Sequence, residues 1–220
     1  MWHALGCRRR RLRHRQLKAK PAEQAALRAE LETLLAEWPE EWALLFVDEA
    51  TVRRHPTLPA QWCLVDEVPE VPTGDDHTKV PVYGAVAPLP GRTHYHISRE
   101  VSQRAFAPLL QHLRVYHPGK PLLVSHDGGE QHKGAPVDAV SREAQGRLSL
   151  KAQPAYAPEL NPQERLWKWW RRVVTHNHWF VTLQEPIEAI RNFFRDLAGG
   201  KVQVRQLCGF KTPDSFVASL

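Results

Sequence analysis

The sequence predicts an α/β fold in which a mixed sheet of about five strands is flanked by helices. Apolar runs of strand length, such as WALLFVDE and PLLVSHD, alternate with segments whose apolar residues recur at helical spacing. With 220 residues, of which 42% are hydrophobic, the chain is long enough to bury a core of its own. We expect one domain over residues 42–220, preceded by a basic extension and a helix over residues 1–41.

The first 41 residues combine a basic block with one helix. Residues 8–20, RRRRLRHRQLKAK, lack apolar periodicity, so they are expected to be solvated or to lie along phosphates. Pro21 begins a helix that we expect to pack on the core. The apolar side chains of this helix fall on one face: Leu27, Leu31, Leu34, Leu35 and Trp38.

Three strands are predicted next, at residues 42–48, 80–87 and 92–98. A short additional strand is expected near residues 61–65. Residues 66–79 contain proline, glycine and clustered acids without periodicity, which predicts a loop.

Helices and strands then alternate. Ser102 is the expected N-cap of a helix in which Pro108 predicts a kink or a late start. The remaining elements are expected in this order: a strand at 121–126, a helix at 136–145, a strand at 148–153, and helices at 162–176 and 184–198.

This order of elements is that of the ribonuclease H-like fold. In that fold one acid lies on the first strand, one just after the fourth strand, and one on the helix after the fifth. Asp48, Asp127 and Glu164 occupy these places in the sequence. Because strands and helices hold such side chains rigidly, the three carboxylates are expected to converge and to hold two divalent metal ions.

Two of these acids have a competing interpretation. Glu49 follows Asp48, and adjacent residues of a regular strand point to opposite faces, so only one of the two is expected at the site. Glu164 also stands three residues after Asn161, where a capping box would use its carboxylate at the start of a helix. Local physics alone favours the cap, and Glu159 in the preceding loop is then the other candidate acid.

The segments around these acids resemble the catalytic domain of the DDE transposases, in the bacterial insertion-sequence branch related to the mariner elements (DDE superfamily endonuclease). FVDEA, HDGGEQHKG and YAPELNPQERLWKW carry the resemblance, together with THNHWF and LCGF, from about Leu44 to Phe210. It implies that Asp48, Asp127 and Glu164 are both the catalytic residues and the metal ligands. Ligation by oxygen alone implies Mg²⁺ or Mn²⁺, with two ions.

The function implied by the resemblance is DNA transposition or integration of an insertion sequence, by metal-dependent strand cleavage followed by strand transfer. The implied partners are double-stranded DNA at the element ends and target, a second copy of the chain in a synaptic complex, and a separately encoded N-terminal DNA-binding half. No helix-turn-helix of the usual size fits before Leu44, so the chain is interpreted as the catalytic half.

Basic residues near the acids are predicted to contact DNA. His132 matches a histidine of the family pattern and is expected to reach the scissile phosphate or a site water. Four basic residues after Glu164 are expected at phosphates, although a solvated basic face has the same pattern: Arg165, Lys168, Arg171 and Arg172. Trp167 and Trp170 are predicted to be core residues, with stacking on unpaired bases as the alternative.

One departure from the family pattern bears on activity. Relatives usually have Asn directly after the second acid, whereas Gly128 and Gly129 follow Asp127 here. The missing amide removes a group that would orient a metal-bound carboxylate. Two alternatives therefore stay open: a catalytically inactive, truncated transposase remnant that only binds DNA, and a ribonuclease H-like nuclease.

Composition is consistent with this assignment. Lys and Arg number 30 against 24 Asp and Glu, a net charge of +6 that favours a polyanionic partner. The three cysteines show no CxxC spacing, which argues against a disulfide framework or a zinc ribbon. The pairs His94/His96 and His176/His178 have no third ligand at a suitable spacing, so structural zinc is not expected, and the second pair is expected to end a helix. With no signal peptide and no long apolar run, we expect a cytoplasmic, nucleoid-associated protein.

Overall fold

In a computed structural model, the chain folds around a five-stranded mixed sheet with the strand order β3-β2-β1-β4-β5. The structure describes residues 21–75, 77–154, 158–199, 204–212 and 215–216. The basic block at residues 8–20 lies outside this range. The strands of the sheet are β1 Ala43–Arg53, β2 Lys79–Ala87, β3 Arg92–Ile97, β4 Leu122–His126 and β5 Leu148–Ala152.

The strand pairing is antiparallel on one side of β1 and parallel on the other. β1 pairs antiparallel with β2, which pairs antiparallel with β3. On its other edge β1 pairs in parallel with β4, and β4 pairs in parallel with β5. This is the predicted ribonuclease H-like arrangement.

Six helices of the described chain surround the sheet: α1 Pro21–Ala36, α2 Gln103–Tyr116, α3 Ala135–Glu143, α4 Pro162–Trp170, α5 Gln184–Ala198 and α6 Val204–Leu207. A short hairpin follows, formed by β6 Phe210–Thr212 and β7 Ser215–Phe216. None of the helices in the part of the chain described here is long and apolar enough to span a membrane.

The helices enclose a hydrophobic cluster on each face of the sheet. Residues of α1, α4, α5 and α6 join one cluster, and residues of α2 and α3 join the other. The side-chain alternation of β1 produces this division. Leu44 and Phe46 belong to the first cluster, whereas Leu45 and Val47 belong to the second.

Two predictions about core helices are confirmed. Trp167 and Trp170 of α4 are fully buried in the first cluster, which leaves neither ring accessible for stacking on a base. Leu27 and Leu31 of α1 are buried in the same cluster, so α1 packs on the core as expected. The proposed boundary between residues 1–41 and 42–220 stays a prediction.

β1 is longer than predicted. It was expected to end at residue 48, but it continues to Arg53, which pairs with Lys79 of β2. Its pairing with β4 ends earlier, at Phe46 and Ser125. The second half of β1 pairs with β2 alone. The local sequence of β1 does not reveal this partner.

The short strand expected near residues 61–65 is wrong. Within the described part of the connection between β1 and β2, the one β-bridge joins Thr57 to His176. Residues 61–65 have no strand partner. Several apolar side chains of the β1–β2 connection are exposed, namely Leu58, Trp62, Leu64, Val65 and Val68.

The helix ends agree largely with their sequence cues. The Ser102 hydroxyl accepts a hydrogen bond from the Ala105 N–H at 3.2 Å, as predicted for an N-cap. The late start suggested by Pro108 is wrong, since α2 begins at Gln103 and runs through the proline. α4 continues as a π-helical turn over Arg171–Thr175 and ends at His176, which confirms that His176 and His178 follow a helix end.

Candidate acidic metal centre

Asp48 and Asp127 lie level with each other where β1 and β4 separate. The last parallel pair joins Phe46 to Ser125, and each aspartate stands two residues further along its own strand direction. Equal offsets in a parallel pair place side chains at the same level and on the same face. Oxygen atoms of Asp48, Glu49 and Asp127 all lie within 4.8 Å of one another.

Glu49 also reaches this cluster, although the strand pattern predicts only one of the two neighbouring acids at the site. The strand alternation itself is regular. Asp48 pairs with Gly84, which faces α4, and Glu49 pairs with Tyr83, whose ring packs against Phe106 of α2. Beyond the last β1–β4 pair no strand separates the two faces, and both carboxylates approach Asp127.

Glu164 is brought near by the start of α4. The Asn161 side chain is buried, and its Oδ1 accepts a hydrogen bond from the Gln163 N–H at 3.0 Å. Its Nδ2 donates to the Val47 carbonyl oxygen at 2.9 Å, directly beside Asp48. One side chain therefore caps α4 and attaches it to β1.

The pKa of Asp48 reports the crowding of negative charge. Burial is the largest cause of its increase, followed by repulsion from Glu164 and Glu49, with a smaller effect of Asp127. Together they raise the pKa of Asp48 to about 8. A divalent cation would offset this repulsion, so the electrostatics fit a cation site.

The capping interpretation of Glu164 does not match the hydrogen bonds. A capping box requires the Glu164 carboxylate to accept from the N–H of the N-cap residue. In the structure the Asn161 N–H donates to the Pro158 carbonyl oxygen instead, at 3.2 Å. Glu164 is half-buried and repels Asp48, although it is not a member of the 4.8 Å oxygen cluster among the described side chains. The side chain of Glu159 lies outside the described part of the structure.

Asp127 has the opposite electrostatic environment. Its Oδ1 accepts a hydrogen bond from the Gly129 N–H at 2.9 Å and lies 3.0 Å from Nδ1 of His132. The contact with His132 is the main cause that lowers the pKa of Asp127 to about 2, against the effect of partial burial. Asp127 is therefore ionised at neutral pH.

His132 lies between two acids. Its Nε2 is 2.6 Å from Oε1 of Glu49. Its Nδ1 is close enough to Asp127 for an ion pair, but the two groups are not aligned for a hydrogen bond. Burial lowers the pKa of His132, but contacts with Asp127 and Glu49 outweigh it and raise the pKa to about 9. Since the ring is buried and faces carboxylates, this placement does not favour the predicted contact between His132 and a phosphate.

Gly128 has a backbone conformation that Asn also tolerates. Its φ of +81° is left-handed, a conformation that Gly adopts freely and that Asn tolerates better than other residues. A Cβ at this position would have Ala152 Cβ as its nearest neighbour, at 3.6 Å. The replacement of Asn by Gly therefore removes an amide without requiring a different loop.

The predicted DNA-contacting residues of α4 and its π-helical turn differ in exposure. Lys168 and Arg172 are exposed, and the Arg172 guanidinium lies 5.9 Å from the centre of the Trp169 ring. Arg171 is half-buried. Arg165 donates to the Cys208 carbonyl oxygen at 2.9 Å, which attaches α4 to the segment after α6. Their contacts with DNA stay predictions.

α2 and the residue after it bring histidines close to His94 of β3. His94 of β3 and His117 after α2 are buried with their Nε2 atoms 3.2 Å apart, and the His112 ring lies 5.7 Å from the His94 ring. Spacing along the chain gave no indication of this cluster. No three of its histidines bring ligand atoms within 4.8 Å of one another in the described chain.

The acidic cluster offers carboxylate oxygens, which are the ligands that Mg²⁺ and Mn²⁺ prefer. A ribonuclease H-like sheet with such a cluster at its central strands defines the class of metal-dependent polynucleotide phosphoryl-transfer enzymes. Residues 43–185 match the model of the DDE superfamily endonuclease family, and the chain belongs to that family.

Among curated proteins, the chain is similar to the insertion element IS630 uncharacterized 39 kDa protein of Shigella sonnei. The two are 25% identical over 186 residues, which cover 83% of this chain and 53% of the relative. The chain thus spans about half the length of this relative.

Solved structures of Mos1 transposase share the fold. The paired-end complex with the left transposon end matches with a TM-score of 0.64 and 13% identity, covering 94% of this chain and 68% of that one. The isolated catalytic domain of Mos1 mariner transposase matches with a TM-score of 0.58 and 10% identity, covering 90% and 94%. These likenesses confirm the predicted ribonuclease H-like fold, and the family match confirms the predicted resemblance.

Proposed function

We propose that this chain is the catalytic domain of a transposase that cleaves DNA at the ends of an insertion sequence and joins those ends to target DNA. One observation carries the proposal: the level placement of Asp48 and Asp127, whose oxygens lie within 4.8 Å of each other and of Glu49. Family membership and the shared fold of Mos1 transposase support it.

In this proposal Asp48, Asp127 and Glu164 are the catalytic residues and hold the divalent metal. Bound Mg²⁺ or Mn²⁺ would stabilise charge on the phosphate and lower the pKa of an attacking water. Solved Mos1 complexes with Mn and with Mg support the choice of ion, and the use of two ions is part of the proposal. The chain's own contribution is to fix the carboxylates: the parallel register aligns the aspartates, and Asn161 attaches α4 beside them.

The DNA partner is supported by charge and by the exposed cations of α4 and its π-helical turn. The net charge is +6, and Lys168 and Arg172 are exposed on α4 and its π-helical turn, after Glu164. The Mos1 complex with a left transposon end supports element-end DNA as the partner. Such a substrate agrees with the expected location at the nucleoid.

A second copy of the chain is the protein partner that we propose. Trp62 and Val65 are fully exposed in the β1–β2 connection, and neighbouring apolar side chains are exposed as well. An exposed apolar stretch of this kind is typical of an interaction surface. Light scattering with and without element-end DNA tests this: Trp62→Ala should reduce dimer formation, and an unchanged dimer would exclude this surface. The relative's greater length is consistent with a separate DNA-binding half.

The decisive test is cleavage of a labelled element-end duplex in Mg²⁺ by the chain, supplied with the DNA-binding half of its own element. Asp48→Asn and Asp127→Asn should each abolish cleavage, because each keeps size and polarity but removes a charge that the metal requires. Binding of the duplex should change little. Cleavage by either variant at the wild-type rate would refute the assignment, and a wild type that binds without cleaving would support the inactive remnant. Preferential cutting of an RNA–DNA hybrid would support the nuclease alternative.

A further inference from the structure

We propose that Glu49 and His132 form a buried pair that positions Asp127, so that Glu49 is a positioning residue and not a fourth metal ligand. The inference rests on the proposed function, because it takes Asp127 as a metal ligand. It also separates the roles of two adjacent acids, Asp48 and Glu49, that both reach the cluster.

The His132 ring joins a largely buried acid to an exposed one. The His132 side chain is 0% exposed and the Glu49 side chain 10%, whereas the Asp127 side chain is 53% exposed. Glu49 is the less accessible of the two acids and lies 2.6 Å from the imidazole, and Asp127 is the more accessible acid, at 3.0 Å. An ion that arrives from solvent meets Asp127, while Glu49 faces the buried His132 ring.

Both oxygens of Glu49 already have partners. Oε1 lies 2.6 Å from Nε2 of His132, and Oε2 accepts a hydrogen bond from Nε2 of Gln131 at 3.4 Å. These two contacts fix the Glu49 carboxylate against His132 and Gln131, as is typical of a carboxylate that orients a neighbouring side chain. The surroundings of Glu49 therefore favour its contacts with His132 and Gln131 over a contact with a metal ion.

The imidazole is held in place by its surroundings. The Phe106 ring of α2 lies edge-on with its centre 4.5 Å from that of His132, and the His126 ring lies 4.7 Å away. His132 ends the 3₁₀ turn over Glu130–His132, so its backbone is fixed as well. A ring fixed in this way transmits the position of Glu49 to Asp127.

Asp127 depends on this support because of the glycine that follows it. Gly128 offers no side chain, so Oδ1 of Asp127 is oriented by the Gly129 N–H and by His132. Oδ2 makes no hydrogen bond to any side chain or backbone group that the structure describes. Oδ2 is then the oxygen we assign to the metal. Outer partners of this kind typically change metal affinity by about 10- to 100-fold when removed.

Two substitutions of His132 separate its two contacts. The amide nitrogen of His132→Asn is bonded to Cγ, as Nδ1 is, so this variant can keep the contact with Asp127. The amide nitrogen of His132→Gln is one atom further out, like Nε2, so that variant can keep only the contact with Glu49. We expect Mn²⁺ affinity, measured by electron paramagnetic resonance, to fall about 10- to 100-fold in His132→Gln and less in His132→Asn.

Glu49→Gln tests the role of the acid itself. The positioning role predicts weaker Mn²⁺ binding with the wild-type number of ions, and a combined effect with His132→Gln smaller than the product of the two single effects. Glu130→Gln is the matched control, because Glu130 lies on the same turn but is exposed and pairs with Lys133. It should bind Mn²⁺ as the wild type does.

Other results would overturn the inference. A lower number of bound ions in Glu49→Gln would make Glu49 a ligand, and wild-type affinity in both His132 variants would remove the positioning role. If the His132 variants fail to fold, the number of ions bound by Glu49→Gln and their affinity decide between a ligand role and a positioning role for Glu49. Unchanged Mn²⁺ binding in Asp127→Asn would instead refute the proposed function, and is thereby distinguishable from failure of the positioning role alone.

Discussion

At the scale of single residues, the two aspartates show how environment assigns different properties to the same side chain. Burial and the nearby carboxylates raise the pKa of Asp48 to about 8, whereas His132 helps to lower the pKa of Asp127 to about 2. Asp127 therefore presents a fixed negative charge at the surface of the site. A cation that offsets the charge of its neighbours would favour the anionic form of Asp48.

Glu164→Gln distinguishes the catalytic role of this residue from a helix cap. We expect cleavage to fall by at least about 100-fold, because a required negative charge is lost. Without metal, the variant should melt at the same temperature or higher, since one source of repulsion on Asp48 is removed. A cap would behave in the opposite way and lose about 1 kcal/mol of stability with cleavage intact. Thermal melting and cleavage assays on the same preparation provide the comparison.

Gly128→Asn tests whether the departure from the family pattern impairs the site. Asn tolerates the φ of +81°, and the space around a Cβ is sufficient, so we expect a stability change within about 1 kcal/mol. Mn²⁺ affinity should stay the same or increase, because the amide is restored. Gly128→Val is the control: a β-branched residue at this φ should cost about 1–3 kcal/mol. Equal losses in both variants would show that the loop needs glycine for another reason.

At the scale of elements, the sequence predicted strands and helices well wherever their own residues determine them. Ser102 caps α2 and the apolar face of α1 packs on the core, as local patterns indicate. The second half of β1 was missed because it depends on β2, which is distant in sequence. The Glu49–His132 contact was missed for the same reason, since 83 residues separate the two partners along the chain.

The packing of β3 against α2 predicts a pH-dependent stability. Burial, followed by His117, His112 and Arg92, lowers the pKa of His94 from 6.5 to about 4. The unfolded chain therefore binds a proton below pH 6.5 that the folded chain refuses until about pH 4, so stability falls as the pH falls through this window. At pH 5 the loss attributable to His94 is about 2 kcal/mol.

Thermal melting at pH 7.5 and pH 5 measures this effect. The difference between the two pH values should be smaller in His94→Asn than in the wild type. The neighbours His96, His112 and His117 also have lowered pKa values, so part of the difference should remain. His178→Asn, at an exposed position, should behave as the wild type. A full wild-type difference in His94→Asn would exclude the histidine cluster as its source.

At the scale of the whole molecule, topology brings the acids together more than any local feature does. The order of the sheet sets β1 beside β4, and their register aligns Asp48 with Asp127 across 79 positions of sequence. The motifs identified these acids, but the level placement follows only from the parallel pairing. The DNA-binding surface is less well defined by sequence, because an exposed basic helix has the same pattern whether or not it contacts phosphates.

The final prediction concerns DNA affinity across a salt series. If Lys168 and Arg172 contact phosphates, replacing both with Ala should reduce the slope of log affinity against log salt by up to about 1.8, since each neutralised phosphate contributes about 0.9. Element-end and scrambled duplexes should be affected alike, because phosphate contacts carry no sequence information. Arg147→Ala is the control, because Arg147 is exposed just before β5, at the N-terminal end of the parallel strands, whereas Asp127 follows the C-terminal end of β4. An unchanged slope in the double variant, or an equal loss in Arg147→Ala, would move the DNA surface away from α4 and its π-helical turn.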